Sequence, residues 1–187
     1  GIGGGYKVKP YVITIARQYG SGGKTVGKML ARKLGIPFYN REIITMASED
    51  SGVNAMLFSD ERLKGDFLTR LRAHYHGNAP VPNDSSKSYL KDEALFAYQV
   101  KIIRRLADQG PCVMIGRCAD YILRDKADCL KVFIHADMKF RAERIVKVYG
   151  EREQSPEERL RDKDKRRAAY HRFYTNMKWG HAQNYHL

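Results

Sequence analysis

A glycine-rich segment near the amino end of the chain holds the residues best suited to chemistry. It reads Gln18-Tyr-Gly-Ser-Gly-Gly-Lys-Thr25 and matches the phosphate-binding pattern GxxxxGK[ST], except that Gln18 occupies the first glycine position. Glycines let a backbone turn tightly and point successive N–H groups at phosphate oxygens, and a following helix adds the positive end of its dipole. The alternative is a glycine-rich turn that only caps a helix. We predict a phosphate-binding loop formed by Gly20, Ser21, Gly22, Gly23, Lys24 and Thr25.

The last two residues of this loop carry side chains that complement a nucleotide. The ammonium of Lys24 can reach the β and γ phosphates, and the hydroxyl of Thr25 can ligate Mg²⁺. The segment therefore predicts ATP and Mg²⁺ as cofactors, Lys24 as a catalytic residue and Thr25 as a metal ligand.

The elements on both sides are those that such a loop requires. Residues 11–15 form an apolar, β-branched run typical of a buried strand, and from Lys24 the apolar residues recur at helical spacing as far as Gly35. A short strand is predicted over residues 36–39. Helices are predicted from about 41 to 47, from about 60 to 71 and from 89 to 107, with a mobile loop over residues 76–88.

Two further apolar runs, residues 111–115 and 130–134, each precede a helical pattern. Alternating strands and helices predict a parallel α/β sheet. Residues 151–172 are densely charged and helical, and 187 residues suit one domain with a small insert. Residues 1–10 are predicted to be a flexible leader.

Charge and cysteine content limit the classes of function. The net charge of +13 predicts polyanionic partners, which include both nucleotide phosphates and nucleic acid. Three cysteines without CxxC spacing predict neither a disulfide framework nor a zinc site, and they suit a reducing cytoplasm. No apolar run approaches the roughly 18 residues that span a bilayer, so no membrane partner is expected.

Several arginines follow predicted strands and are candidates for phosphate contacts. Arg117 comes directly after a strand and Gly116, where α/β sheets bind ligands, although it could instead form a surface ion pair. Arg41 is a second candidate for the same phosphate. Arg141 and Arg144 lie on the helix after residues 130–134, where they could close over a transferring phosphoryl group or be exposed helix charges.

Four segments together resemble the cytidylate kinase-like proteins of the P-loop kinase superfamily. They are Ile13-Thr-Ile-Ala-Arg-Gln-Tyr-Gly-Ser-Gly-Gly-Lys-Thr-Val-Gly27, Gly35-Ile-Pro-Phe-Tyr-Asn-Arg-Glu-Ile-Ile44, Ile115-Gly-Arg-Cys-Ala-Asp-Tyr-Ile122 and Tyr174-Thr-Asn-Met-Lys-Trp-Gly180. The resemblance implies a three-layer α/β/α fold with a five-stranded parallel sheet. It also implies a single domain over residues 11–187, with a core at 11–39 and 101–150, a helical monophosphate-binding insert at about 40–100 and a helical lid at about 151–175.

The resemblance also implies roles for particular residues. Arg117 would contact the acceptor monophosphate, while Asp164 and Arg167 would match the Asp-x-x-Arg that engages the nucleotide in the lid and base-binding region. Solvated charge pairs are the alternative for the last two. An ungapped comparison with cytidylate kinases puts Gly23 where the loop lysine belongs and Lys24 one place later.

The function implied is transfer of the ATP γ-phosphoryl group to a nucleoside monophosphate, CMP or dCMP above all. Two alternatives remain open at this stage. One is a P-loop kinase of another small acceptor, and the other is a nucleotide-binding regulator or nucleic-acid-binding protein with weak transfer activity. Tyr170, Tyr174 and Trp179 could stack on bases in the latter, although core packing is the commoner role of such residues.

Overall fold

A parallel sheet forms the centre of the molecule. The computed structural model describes residues 11–51 and 85–187. In these ranges the strands are β1 (Val12–Arg17), β2 (Phe38–Tyr39), β3 (Cys112–Ile115) and β4 (Cys129–Ile134). They are all parallel, in the order β2-β3-β1-β4, and Val12 lies opposite both Cys112 and Cys129. The four predicted strands are therefore confirmed, and their carboxyl ends share one edge.

The predicted sheet of five strands is confirmed for four strands within the described residues. The last residues of the chain nevertheless pair with the free side of β4. The Phe133 N–H donates to the Leu187 carbonyl at 2.9 Å, and the His186 N–H donates to the Lys131 carbonyl at 2.8 Å. These hydrogen bonds hold residues 186–187 beside β4, but within the described residues they do not form a fifth strand.

Helices cover both faces of the sheet. They are α1 (Gly23–Leu34), α2 (Arg41–Ser51), α3 (Ser85–Gln109), α4 (Ala119–Ile122), α5 (Met138–Tyr149) and α6 (Pro156–Thr175), followed by a 3₁₀ turn at Ala182–Asn184. None of the described helices is long and apolar enough to cross a membrane.

Three predicted boundaries need correction. Residues 85–88 were expected in a loop but belong to α3, and α2 continues four residues past the predicted end at 47. The charged helix starts at Pro156 rather than near 151, because Ser155 and Glu158 form a reciprocal capping box at that point. The leader at 1–10, the helix at 60–71 and the loop over 76–84 lie outside the described residues.

Alternate residues of the strands build two separate apolar layers. Val12, Cys112 and Met114 pack with α2, α3 and α4 on one face of the sheet. Ile13 and Ile15 pack with Ala31 of α1 on the other face. Successive side chains of a strand point to opposite faces of the sheet, and here both faces are covered by helices. The strands are therefore continuous apolar runs in the sequence, which is why they could be predicted as buried parallel strands.

The cysteines, and several aromatic residues near the carboxyl end of the chain, take part in packing. Cys112, Cys118 and Cys129 are buried and unbridged, and burial raises the pKa of Cys112 to about 11. Tyr174 stacks on Phe96 with ring centroids 4.1 Å apart, and Trp179 meets Phe133 edge-on. These aromatic contacts agree with the packing alternative.

Gly27 brings α1 close to the sheet. A β carbon placed on it would lie 2.7 Å from Cδ1 of Ile115 and 3.1 Å from Cδ1 of Ile15. Such distances leave no room for a side chain. Helix α1, which carries the loop residues, is thereby seated directly on β1 and β3.

We expect Gly27→Leu to lower the free energy of unfolding by about 1–3 kcal/mol, because it overpacks this contact. Urea unfolding followed by circular dichroism would measure the change. Gly110→Leu is the matched control, since a β carbon there meets nothing within 4 Å. Equal stability of the two variants would contradict the close packing of α1.

Candidate phosphate-binding site

The glycine-rich segment forms a tight loop between β1 and α1. Gly20 and Gly22 have left-handed φ values of 78° and 87°, which side-chain-bearing residues rarely adopt. Helix α1 begins at Gly23, with neither a side-chain cap nor an acidic residue in its first turn. The first N–H groups of a helix have no partner inside the helix, so these amides are available to an anion.

The loop is held from both sides by α5 and α6. The Tyr19 N–H donates to Oδ1 of Asp164 at 2.7 Å, and Nη1 of Arg141 donates to Oδ2 of the same carboxylate at 2.6 Å. Arg141 also donates to the carbonyls of Tyr19 and Ala136. Its side chain is only 6% exposed. Asp164 and Arg141 thus fix the backbone of the loop.

Gln18, which occupies the first glycine position of the pattern, has a structural role of its own. Its side-chain oxygen accepts a hydrogen bond from the Ala136 N–H at 3.2 Å, and its own N–H donates to the Ile134 carbonyl at 3.0 Å. The Ser21 hydroxyl donates to the Gln18 carbonyl at 2.8 Å. An amide side chain therefore links the loop to the end of β4.

Gly20 is required by packing as well as by conformation. A β carbon on it would lie 2.9 Å from Cγ2 of Ile145 and 3.0 Å from the Arg141 carbonyl oxygen. The loop consequently lies directly against α5. This contact brings the arginines of α5 next to the start of α1.

A cleft of about 520 Å³ opens between the loop, α1 and α5. Among the described residues, the side chains that line it include six cations and no carboxylate. These cations are Arg17, Lys24, Lys28, Arg32, Arg144 and Arg167. Such a concentration of positive charge attracts phosphates strongly.

Arg144 lies across the mouth of the loop. Its Nη2 donates to Oγ1 of Thr25 at 2.9 Å, and its guanidinium lies 3.6 to 3.9 Å from the position that a β carbon on Gly22 would occupy. Lys24 and Thr25 are both exposed. Arg144, Lys24 and Thr25 therefore meet at the amino end of α1.

Arg167 reaches the loop from α6. Its Nη1 donates to the Arg17 carbonyl at 2.9 Å, and its guanidinium lies 5.5 Å from the centre of the Tyr19 ring. The Tyr19 ring stacks on Tyr149 with centroids 5.9 Å apart. Burial raises the pKa of Tyr19, so its hydroxyl stays protonated at neutral pH.

The segment after β3 has an unusual backbone. Gly116, Arg117 and Cys118 have φ values of 64°, 58° and 56°, and this left-handed region is unfavourable for the two residues that carry side chains. The guanidinium of Arg117 lies 6.0 Å from the Tyr170 ring. This turn follows β3, and the glycine-rich loop follows β1. Because β3 and β1 are paired neighbours, the turn and the loop lie side by side at the same edge of the sheet.

A buried polar network supports this turn. Nε2 of His171 donates to Oδ2 of Asp120 at 3.1 Å, and the Tyr185 hydroxyl donates to the same oxygen at 2.7 Å. The side chains of His171 and Asp120 are 6% and 8% exposed. Burial alone would raise the pKa of the Asp120 carboxyl, but hydrogen bonds from His171, Tyr185 and the Tyr121 amide outweigh burial and hold that pKa below its ordinary value.

Comparison with known proteins agrees with this geometry. The sequence model of the cytidylate kinase-like family matches residues 12–187. This chain belongs to the cytidylate kinase-like family. Its membership supports a kinase of the P-loop type.

Two solved structures are similar to this cytidylate kinase-like chain to different degrees. An uncharacterized protein from Eubacterium ventriosum ATCC 27560 is 27% identical, with a TM-score of 0.65, over 94% of this chain and 84% of that one. A gluconokinase from Sinorhizobium meliloti 1021 is 21% identical, with a TM-score of 0.44, over 84% of this chain and 74% of its own. No curated protein is a significant match.

The structure brings the predicted residues of the cytidylate kinase-like chain to two neighbouring places. Gly20, Gly22, Gly23, Lys24, Thr25, Arg144 and Arg167 line the cleft, and Ser21 is buried within the loop. Arg141 and Asp164 contact each other behind the loop and are not among the cleft-lining residues. Arg117 and Arg41 lie at the carboxyl ends of β3 and β2.

Sequence reasoning missed Arg17, Lys28, Arg32 and Tyr149 as lining residues. Lys28 and Arg32 follow Lys24 at intervals of four along α1, so helical spacing placed them on one face. Arg17 follows Ile13 and Ile15 at every second position of β1. The alternation of side chains along the strand therefore puts Arg17 on the same face of the sheet as α1. No pattern in the sequence pointed to Tyr149.

We expect Asp120→Asn to lower the free energy of unfolding by about 3–5 kcal/mol at pH 7, because it breaks a buried charged network. The lowered pKa of Asp120 means that the carboxylate stabilises the fold above its unfolded-state pKa, about 3.9, and that this stabilisation is lost as pH falls through the folded-state pKa. Urea unfolding at several pH values between 3 and 7 would measure both effects.

Asp125→Asn provides the control, since the Asp125 side chain is 89% exposed. It should change stability by no more than about 0.5 kcal/mol and keep the acid dependence of the unaltered protein. An Asp120→Asn variant that unfolds with the same acid dependence would show that the network does not depend on this charge.

Proposed function

We propose that this chain transfers the γ-phosphoryl group of Mg²⁺-bound ATP to a nucleoside monophosphate, with CMP or dCMP as the favoured acceptor. The observation that carries the proposal is the cleft at the amino end of α1, where six cationic side chains, and no carboxylate from the part of the chain that the structure describes, surround a glycine loop. Family membership supports the same reaction class.

The donor site of this proposal is the loop itself. The amides at the start of α1 would bind the β and γ phosphates, with Lys24 and Arg144 beside them. Arg144 already lies over Gly22 and Thr25, where it can neutralise charge on the transferring group.

Mg²⁺ fits the donor set of this cleft. Thr25 presents a hydroxyl at the loop's end, and Arg144, which donates to its oxygen in this structure, would have to give way to the ion. Of the described residues that line the cleft, none carries a carboxylate. An ion that keeps several waters and binds mainly through substrate phosphates needs few protein ligands. We assign Thr25 as its protein ligand. When bound, the ion would neutralise charge on the β and γ oxygens.

The acceptor site lies along the same edge of the sheet. The strand order β2-β3-β1 puts Arg41, Arg117 and the phosphate loop at the ends of three successive strands. Arg117 follows the strained turn after β3, and strain of this kind is common at functional sites. We propose that Arg117, with Arg41, binds the acceptor phosphate bidentately.

Roles for the lid follow from its contacts. Residues of α6 belong to the proposed lid at about 151–175, and Arg167 of this helix already contacts the loop and lines the cleft. Asp164 uses both carboxylate oxygens on Tyr19 and Arg141. We therefore propose that Asp164 and Arg141 position the donor loop, while Arg167 contacts the nucleotide. The monophosphate insert at about 40–100 would complete the acceptor site.

The reaction needs little covalent chemistry from the protein. An oxygen of the acceptor phosphate forms a bond to the γ phosphorus as the bond to the β–γ bridging oxygen breaks, and that oxygen leaves with the electron pair on ADP. An ionised acceptor phosphate has no proton to remove, so alignment and charge neutralisation supply most of the rate. Closure of a lid would exclude water as a competing acceptor.

A second candidate function is nucleotide binding with slow transfer. It is favoured by Gly23, which stands where the resemblance places the loop lysine, and by the exposed position of Lys24. Phosphate binding depends largely on backbone amides and would survive this change. The rate of transfer distinguishes the two candidates.

We expect ATP with Mg²⁺ and one pyrimidine monophosphate to raise the melting temperature, because ligands selective for the folded state stabilise it by mass action. A thermal-shift panel of ATP, CMP, dCMP, UMP, AMP and a short RNA would show this. Coupled ADP release that requires CMP or dCMP would support the kinase. Stabilisation by RNA alone would contradict it.

We expect Arg117→Ala to raise the KM for the acceptor about 10- to 100-fold, since it removes charge-assisted hydrogen bonds to the phosphate. Arg144→Ala should instead lower kcat by about 100- to 1,000-fold. Steady-state kinetics with both substrates varied would separate the effects. Lys101→Ala, on the exposed face of α3, is the control for loss of one positive charge. Unchanged kinetics in both arginine variants would refute these roles.

A further inference from the structure

Gly23 is a glycine for a reason other than backbone conformation. It is the first residue of α1, and it is not among the glycines with positive φ. A β carbon built on it would lie 2.6 Å from Cβ and 2.8 Å from Cγ of Arg17. The missing side chain at position 23 therefore makes room for the stem of Arg17.

Arg17 passes over Gly23 toward the neighbouring strand end. A β carbon built on Gly116 would lie 2.6 Å from Nη1 of Arg17. The stem thus crosses the start of α1 while the guanidinium reaches the turn that precedes Arg117. This position lies between the phosphate loop and the proposed acceptor site, and Arg17 lines the cleft.

The backbone of Arg17 is fixed on both sides. Its carbonyl accepts from Nη1 of Arg167 at 2.9 Å, and the next residue, Gln18, donates its N–H to the Ile134 carbonyl at 3.0 Å. Arg17 is also the last residue of β1, paired with Ile134 of β4. A cation held by a fixed backbone loses less entropy when it binds a ligand.

We propose that Arg17 supplies the positive charge that the loop lysine supplies in cytidylate kinases, where the resemblance matches that lysine to Gly23, by contacting the β and γ phosphates of ATP. The inference rests on the proposed function. A guanidinium stays charged at any physiological pH and can bridge two phosphate oxygens with parallel hydrogen bonds. Glycine at position 23 then leaves room for the Arg17 stem, and Arg17 supplies the charge.

The chemistry at this position explains why charge matters. During transfer, negative charge moves toward the bridging oxygen of ADP and spreads over the equatorial oxygens of the γ group. A cation between donor and acceptor neutralises both regions. Lys24 starts one residue later on α1 and is exposed, whereas Arg17 is half-buried and aimed across the loop.

The test compares Arg17→Met, Arg17→Lys and Lys101→Ala in the full chain. Arg17→Met keeps an apolar stem over Gly23 and removes the charge. It should weaken ATP binding about tenfold by titration calorimetry and lower kcat by about 100-fold or more. Arg17→Lys should have a kcat at least about tenfold higher than that of Arg17→Met, because lysine restores the positive charge. It should stay below the unaltered protein, because lysine lacks the bidentate geometry of arginine. Lys101→Ala should match the unaltered protein.

A reciprocal variant tests the pairing of the two positions. Arg17→Gly removes the β carbon that would collide with a side chain at position 23. Gly23→Lys should therefore be tolerated only in a protein that also carries Arg17→Gly. The double variant should transfer phosphoryl groups at least about tenfold faster than Arg17→Gly alone. Gly23→Lys in the presence of Arg17 should instead lower the melting temperature.

The outcomes separate this inference from the proposed function. If the unaltered protein binds ATP but phosphorylates no monophosphate, the kinase proposal fails, and the ATP affinity of Arg17→Met still decides the role of Arg17. ATP affinity in Arg17→Met within about twofold of the unaltered protein, with no loss of kcat, overturns the inference. Absence of any ATP binding by the unaltered protein overturns both.

Discussion

The buried contact between Arg141, Asp164 and the Tyr19 amide is the interaction on which the site depends. It joins the loop to α5 and α6 through bonds of 2.6 and 2.7 Å, and the Arg141 side chain is almost fully enclosed. A buried charge is tolerable only when its hydrogen bonds are satisfied, and the three bonding partners of Arg141 provide this. The geometry of the loop is therefore determined by helices that are distant in sequence.

This constraint also gathers the positive charge of the cleft. Once α5 lies against Gly20, Arg144 is placed over the start of α1, and once α6 contacts Tyr19, Arg167 reaches the Arg17 carbonyl. Like charges crowded together repel one another, so the arrangement favours a bound polyanion over an empty cleft. Part of the net charge of +13 is thus concentrated around one cleft.

A second constraint shapes the other side of the site. Asp120, His171 and Tyr185 link α4, α6 and the carboxyl-terminal segment beneath the strained turn at Gly116 to Cys118. A left-handed backbone at residues with side chains persists only where its surroundings enforce it. The network therefore fits a turn that must hold Arg117 in one place, while the ends of β1 and β3 set its distance from the loop.

Local rules were enough to predict the four strands, α1 and the tight glycine-rich turn between β1 and α1, because apolar alternation, helical spacing and glycine chemistry act over a few residues. The resemblance to cytidylate kinase-like proteins, which the family match confirms, was also readable from short motifs. Boundaries set by capping, such as the start of α6 at Pro156, were missed.

Contacts between distant residues decided what each side chain does. The resemblance assigned Asp164 to the nucleotide, and its place on the helix after β4 made Arg141 a candidate for the transferring phosphoryl group. Tertiary packing turned both side chains toward Tyr19. The resemblance to cytidylate kinases placed Gly23 where their loop lysine lies, but only the packed structure showed the stem of Arg17 beside Gly23, because the closeness of a strand end to the first turn of a helix follows from sheet and helix packing. The sequence by itself determined the strands, most of the helices and the family, because these depend on local patterns and short motifs. The fold determined which cationic side chains line the cleft, because residues distant in sequence meet there only through packing.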